Sequence, residues 1–238
     1  ADALNPELEM AQDVLELIVE AGAATPPILT DLAGIYSLSG HNGKATTLLS
    51  TVELSITDGT LPAYLRALQR ENDWETYIER LNTALATDDG QPIWKLLYPI
   101  ACVPFPSERQ DLLAKLHVRM RHGGYQLSGT VALTHLVVLD LLGQWEECAA
   151  AFLRVSGRIP DASRRYFERL FALRRGEAGF NRFWCVGLSK TGTTSFHDYC
   201  NGIGLLSAHF VNPHRRVLIT REDTEVFDVV SDIPVVYL

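Results

Sequence analysis

Phe183-Trp184-Cys185-Val186-Gly187-Leu188-Ser189-Lys190-Thr191-Gly192-Thr193-Thr194-Ser195-Phe196 is an apolar run that enters a Gly-, Lys- and Thr-rich turn and leaves it in a helical pattern. The apolar residues before Gly187 suit a buried parallel strand, and Phe196, Tyr199, Cys200 and Ile203 recur at helical spacing beyond the turn. Gly187 and Gly192 supply backbone able to take positive φ. The first amides of the following helix, at Thr193, Thr194 and Ser195, have no intrahelical acceptor and favour an anion. The stretch predicts a strand, a phosphate cradle and a helix, and so an α/β fold for the C-terminal part of the chain.

The spacing of Gly187 and Gly192 matches the first half of a Walker A loop, but Thr193 stands where that loop carries its lysine, and Lys190 lies inside the turn. A Walker lysine follows the second glycine to reach the β and γ phosphates while the next hydroxyl binds magnesium. That division of labour is absent here. The run Lys190-Thr191-Gly192-Thr193-Thr194-Ser195 after a strand resembles the 5′-phosphosulfate-binding loop of sulfotransferases that use 3′-phosphoadenosine 5′-phosphosulfate; that family often has Pro where this chain has Ser189. The resemblance extends over residues 181–238, through Leu205–Pro213 and Phe227–Val235. It implies a P-loop-like three-layer α/β domain, of which these residues are the first portion.

Upstream, residues 1–178 read as helix after helix, and the composition changes near Gly176-Glu177-Ala178-Gly179. The boundary is placed at 178/179. Leu29–Tyr36 leading through Gly40 to Ala45–Leu49 matches Leu133–Leu136 leading through Gly143 to Cys148–Phe152, at an offset of 103 residues. That is close to three times about 34, the period of tetratricopeptide repeats. Asn72-Asp73-Trp74-Glu75 resembles the turn Gly143-Gln144-Trp145-Glu146, and a further turn is expected near Pro104-Phe105-Pro106. A helical hairpin exposes an apolar face that only a neighbouring hairpin can cover, so such units stack. The expected fold class is therefore a mostly α-helical, TPR-like solenoid followed by a partial P-loop-like α/β sulfotransferase domain.

Leu15, Leu17, Ile18, Leu48, Leu49, Leu136, Leu139 and Phe152 are the expected core of the stack. Pro26-Pro27, Asp88-Asp89-Gly90 and Arg121-His122-Gly123-Gly124 are read as connections. His122, with Arg119 and Arg121, is read as a solvated turn, with a groove lining as the alternative. The basic helix Arg164–Arg175 is read as a solvated face capping the stack, its arginines complementing the helix dipole, with a grip on the donor as the secondary reading.

The 238 residues are 47% hydrophobic, enough for a sizeable core. With 21 basic against 29 acidic residues, the net charge of −8 offers no general attraction to nucleic acid or anionic membrane. An anionic donor must then meet a local basic site. Cys102, Cys148, Cys185 and Cys200 form no C-x-x-C pair, so buried free thiols are expected and no metal. No run approaches the roughly 20 apolar residues of a membrane span. The start, Ala1-Asp2-Ala3, lacks the regions of a signal peptide, which makes a cytoplasmic location the expectation.

Sulfuryl transfer moves an oxygen-rich group between nearly in-line oxygens, so positioning and charge stabilisation dominate. Lys190 is the first candidate, set to meet the 5′-phosphate and the bridging oxygen that becomes the leaving group. Thr191, Gly192, Thr193, Thr194 and Ser195 would hold the phosphate by amides and hydroxyls. The resemblance implies a Glu or His at the end of the strand after the loop helix as general base, the place His209 fills; an ordinary imidazole accepts a proton at neutral pH. Asp232 is the alternative and Asp228 the third, while His197 is read as structural. Arg221 ends a run that superficially resembles the 3′-phosphate block, but Val229 stands where a serine is needed. That block is expected beyond Leu238, and residues 1–238 alone are expected to be inactive. The acceptor is a hydroxyl or amine of a carbohydrate, peptide or lipid-linked molecule, with the repeats recruiting it or a protein partner. The rival readings are a helical-repeat scaffold with a degenerate domain and a P-loop nucleotide kinase.

Overall fold

The computed structural model describes residues 6–87, 91–122, 129–177, 183–185, 193–209, 211–215 and 217–231. The chain is mostly helical with one small sheet. It divides into two compact units, Ala1–Arg119 and Met120–Leu238. This division in contacts does not coincide with the change in composition at 178/179.

The first unit holds α1 (Pro6–Glu20), α2 (Pro26–Leu38), α3 (Asn42–Ser50), α4 (Thr60–Glu71) and α5 (Trp74–Ala86), a 3-10 turn (Ile93–Leu96) that runs into α6 (Leu97–Ala101), and α7 (Pro106–His122), which continues past Arg119. Leu32, Leu49, Leu65, Leu68, Leu81 and Ile100 are its buried centre. Pro26 and Pro27 are not the connection expected of them. They open α2, where a missing N–H costs nothing and φ is already helical. The expected core is only partly right at the N-terminus: Leu49 is fully buried, Leu15, Ile18 and Leu48 are half-buried, and Leu17 is 64% exposed. Helix α1 has no buried residue and is tied to α2 by the Tyr36 hydroxyl, which donates to Glu16 Oε1 at 2.7 Å. Burial, then that carboxylate, push the Tyr36 phenol up to about 12.

The turn likeness seen in the sequence has a common backbone. Gly143 has φ 72°, its N–H bonds to Asp140 O, and Gln144 N–H bonds to Leu139 O. Asn72, at φ 59°, repeats this with Gln69 O and Leu68 O. Both are left-handed helix ends, and in each the next helix opens on a tryptophan. Ala45 and Cys148, the paired positions after Gly40 and Gly143, are both fully buried.

The second unit holds α8 (Gly129–Leu141), α9 (Trp145–Val155), α10 (Asp161–Arg174), β1 (Phe183–Cys185), α11 (Thr193–Gly202), β2 (Ser207–His209), β3 (Val211–Asn212), β4 (Val217–Leu218), α12 (Arg221–Val226) and β5 (Val229–Ser231). Leu136, Leu139 and Phe152 are buried, as expected. The strand order is β1-β5-β2-β3-β4, parallel across β1-β5-β2 and antiparallel beyond. The basic helix α10 is not a solvated face. Arg174 forks onto Glu222, with Nε and Nη2 at 2.7 and 2.9 Å from its oxygens, and Arg169 Nη1 lies 2.7 Å from Asp228 Oδ1.

Candidate functional site

Two buried carboxylates bind the helices of the second unit to its sheet. Asp140 interrupts the apolar run Val137-Val138-Leu139 of α8 and has no exposed side-chain surface. Arg174 Nη1 and Arg215 Nε stand 2.7 and 2.9 Å from its two oxygens, off the axes of aligned hydrogen bonds, so the attraction there is chiefly coulombic. Asp223 closes a capping box with Thr220 at the start of α12. Its Oδ1 also accepts from the Tyr166 hydroxyl at 2.7 Å, Asn212 Nδ2 at 2.6 Å and Arg215 Nη1 at 3.2 Å. Burial, then the Asp223 charge, hold the Tyr166 phenol well above its usual value. Thr220 and Arg221 thus begin a helix; the apolar strand expected to end at Arg221 covers only Val217–Leu218.

With that frame fixed, the parallel strands lie in register. Cys185, Ser231 and His209 form one row, the last of β1, β5 and β2. Parallel neighbours need crossovers, and β2 is separated from β1 by β5 although it follows β1 directly in sequence. The connection from β1 through α11 therefore leaves the sheet at its carboxyl edge, where α/β sheets bind ligands. Lys190, Thr191, Gly192 and Asp232 lie outside the described residues.

Thr193 opens α11, and Thr194 and Ser195 are exposed in its first turn. Thr194 Oγ1 stands 3.5 Å from His209 Nε2, a long contact that brings the helix start to the end of β2. His197, one turn further along, clamps the two elements. Asn201 Oδ1 accepts from Ser207 N–H at 3.3 Å, which turns the Asn201 amide N–H toward His197 Nε2 at 3.1 Å. Nε2 is thereby the acceptor, and Nδ1–H donates to Ser207 Oγ at 2.9 Å. His197 is thus neutral and structural. Burial, followed by the nearby His209, lowers its pKa, and Asp198 acts the other way. The two imidazole rings are 5.9 Å apart.

Asp228 is no base. It precedes β5, at the sheet's amino edge, and its oxygens are taken by Arg169 and by the Leu206 N–H at 2.8 Å. Of the thiols, Cys148 is buried and pushed up to about 12 by burial and then Asp140, which leaves it a core residue. Among the described residues no three His, Cys, Asp or Glu side chains converge as metal ligands, and no helix is long and apolar enough to cross a membrane. Sequence reasoning missed the Asp140 and Asp223 clusters. The signal for the first was a lone carboxylate in an apolar helix, which has to be paired when buried.

No family model, curated protein or solved structure matches the chain.

Proposed function

We propose that the second unit binds the 5′-phosphosulfate end of 3′-phosphoadenosine 5′-phosphosulfate and transfers its sulfuryl group to a hydroxyl or amine. The observation that carries this reading is the meeting of α11's first turn with His209, 3.5 Å from Thr194, at the carboxyl end of β2. Amides and hydroxyls of residues 193–195 hold the phosphate, and the Lys190 ammonium balances the charge that grows on the leaving oxygen. The donor supplies an activated S–O bond. As that bond breaks and the acceptor oxygen bonds to sulfur, His209 takes the acceptor's proton, with Asp232 as the alternative base. The helical hairpins before it form a TPR-like stack that recruits a carbohydrate, peptide or lipid-linked acceptor, or a protein partner.

Calorimetric titration of the protein at its full natural length with 3′-phosphoadenosine 5′-phosphate is expected to show binding without a metal, at least about tenfold tighter than ATP with magnesium. Lys190→Ala removes a charge-assisted hydrogen bond of about 1.5–3 kcal/mol, roughly a 10- to 150-fold loss of affinity. His209→Gln is expected to keep nucleotide binding, lower turnover, and raise the His197 pKa measured by NMR, because the neighbouring imidazole that acts to lower it is removed. A preference for ATP with magnesium would assign a kinase instead. An absence of nucleotide binding would leave a helical-repeat scaffold.

A further inference from the structure

Away from the sheet, the end of α7 and helices α8 and α9 enclose a cavity of about 220 Å³. Val131, Leu136, Ala151 and Val155 supply apolar wall. Among the described residues the charged groups on the lining are Arg121 and Arg154, with the imidazole of His135 beside them and no carboxylate.

Two guanidiniums on one small cavity are unusual in a chain of net charge −8. Elsewhere in the unit Arg164, Arg169, Arg174, Arg175 and Arg215 pair with carboxylates and Arg165 donates to Gly204 O, while Arg158 has no side-chain partner among the described residues. Arg121 and Arg154 have no hydrogen-bond or ion-pair partner among the described residues. Both are exposed on the cavity, and guanidinium forks match the oxygens of a phosphate or sulfate. The apolar wall adds a second requirement, because a bare hydrated ion gains nothing from it. A dry cavity of about 150 Å³ holds one benzene ring, so this one has room for a ring-sized body with its headgroup at the basic side chains.

We propose that the cavity binds a small organic oxyanion, a phosphate or sulfate monoester with an apolar body about one ring in size, through Arg121 and Arg154. This site is separate from the Lys190 loop and stands whether or not that loop binds a nucleotide.

The test uses phenyl phosphate and phenyl sulfate as probes, with inorganic phosphate and phenol as the headgroup and body alone, followed by calorimetry and by amide NMR shifts at α8 and α9. One ester or both are expected to bind one-to-one at this site, and which one binds tighter identifies the headgroup. Inorganic phosphate and phenol are each expected to bind at least about tenfold more weakly. Arg121→Gln and Arg154→Gln, which break no hydrogen bond or ion pair among the described residues, are each expected to weaken the ester about tenfold with unchanged circular dichroism. Arg154→Lys retains the charge without the fork and is expected to fall between. Lys190→Ala is expected to leave the affinity unchanged. The proposal is overturned if neither ester saturates, if both Gln variants bind like wild type, if inorganic phosphate binds as tightly as the esters, or if Lys190→Ala abolishes the binding.

Discussion

His214 is held uncharged by its surroundings. Its ring stacks on Tyr166 and Phe227, with centroids 5.0 and 5.7 Å away, and Nδ1 meets Ser163 Oγ at 3.1 Å. Burial and then the charge of Arg165 lower its pKa from 6.5 to about 4, while Asp223 acts the other way. The unfolded chain binds this proton more readily, so the neutral ring's contribution is complete above pH 6.5 and is lost as the pH falls toward about 4. A shift of this size corresponds to roughly 3 kcal/mol. Urea denaturation between pH 7 and pH 4 is expected to show wild type losing about that much more stability than His214→Gln, which has no titrating group. Equal slopes for the two proteins would show that the ring is already protonated in the fold.

Among the elements, the helix ends separate two uses of glycine. A Cβ added at Gly143 meets nothing within 4 Å, so Gly143→Ala is expected to cost only the left-handed backbone, about 1–2 kcal/mol. Asn72→Gly, at the matching turn, is expected to be neutral or slightly stabilising. Gly129 differs: a Cβ there would sit 2.6 Å from the carbonyl oxygen of Arg158, and Gly129→Ala must move backbone. It is expected to destabilise more than Gly143→Ala in urea melts, at unchanged denaturant slope for the latter. The Gly143 and Asn72 turns were legible in the sequence because a left-handed residue, a cap and a helix start are specified within a few neighbours. The approach of Gly129 to Arg158 was not, since it joins two backbones through the packing of the unit.

At the scale of the whole molecule, helices α8–α10 are partners of the sheet rather than a neighbour to it. Tyr166, Arg169 and Arg174 bond to Asp223, Asp228 and Glu222 across 48 to 59 residues of chain. Asp140 faces Arg215 as well. Removing one member of a buried charged set costs about 3–5 kcal/mol, because the other is left uncompensated. A protein beginning at residue 179 loses all four helical partners together and is expected not to fold. One beginning at residue 120 keeps them and is expected to give dispersed amide NMR signals. A dispersed spectrum from the shorter protein would show that the sheet stands without its helices.

By itself the sequence determined the helical character of the first part of the chain, the turns at Asn72 and Gly143, much of the apolar core, and a strand at 183–185 followed by a helix from Thr193. Each of these depends on residues close along the chain, through spacing, caps and backbone preference. It also placed His209 at the end of β2 and read His197 as structural. Tertiary structure alone decided that β5 enters between β1 and β2, that Asp228 lies at the far edge of the sheet, and that the arginines of α10 are spent on carboxylates. Charge and strand pairing act between whichever residues the packing brings together, and no local pattern specifies which those will be.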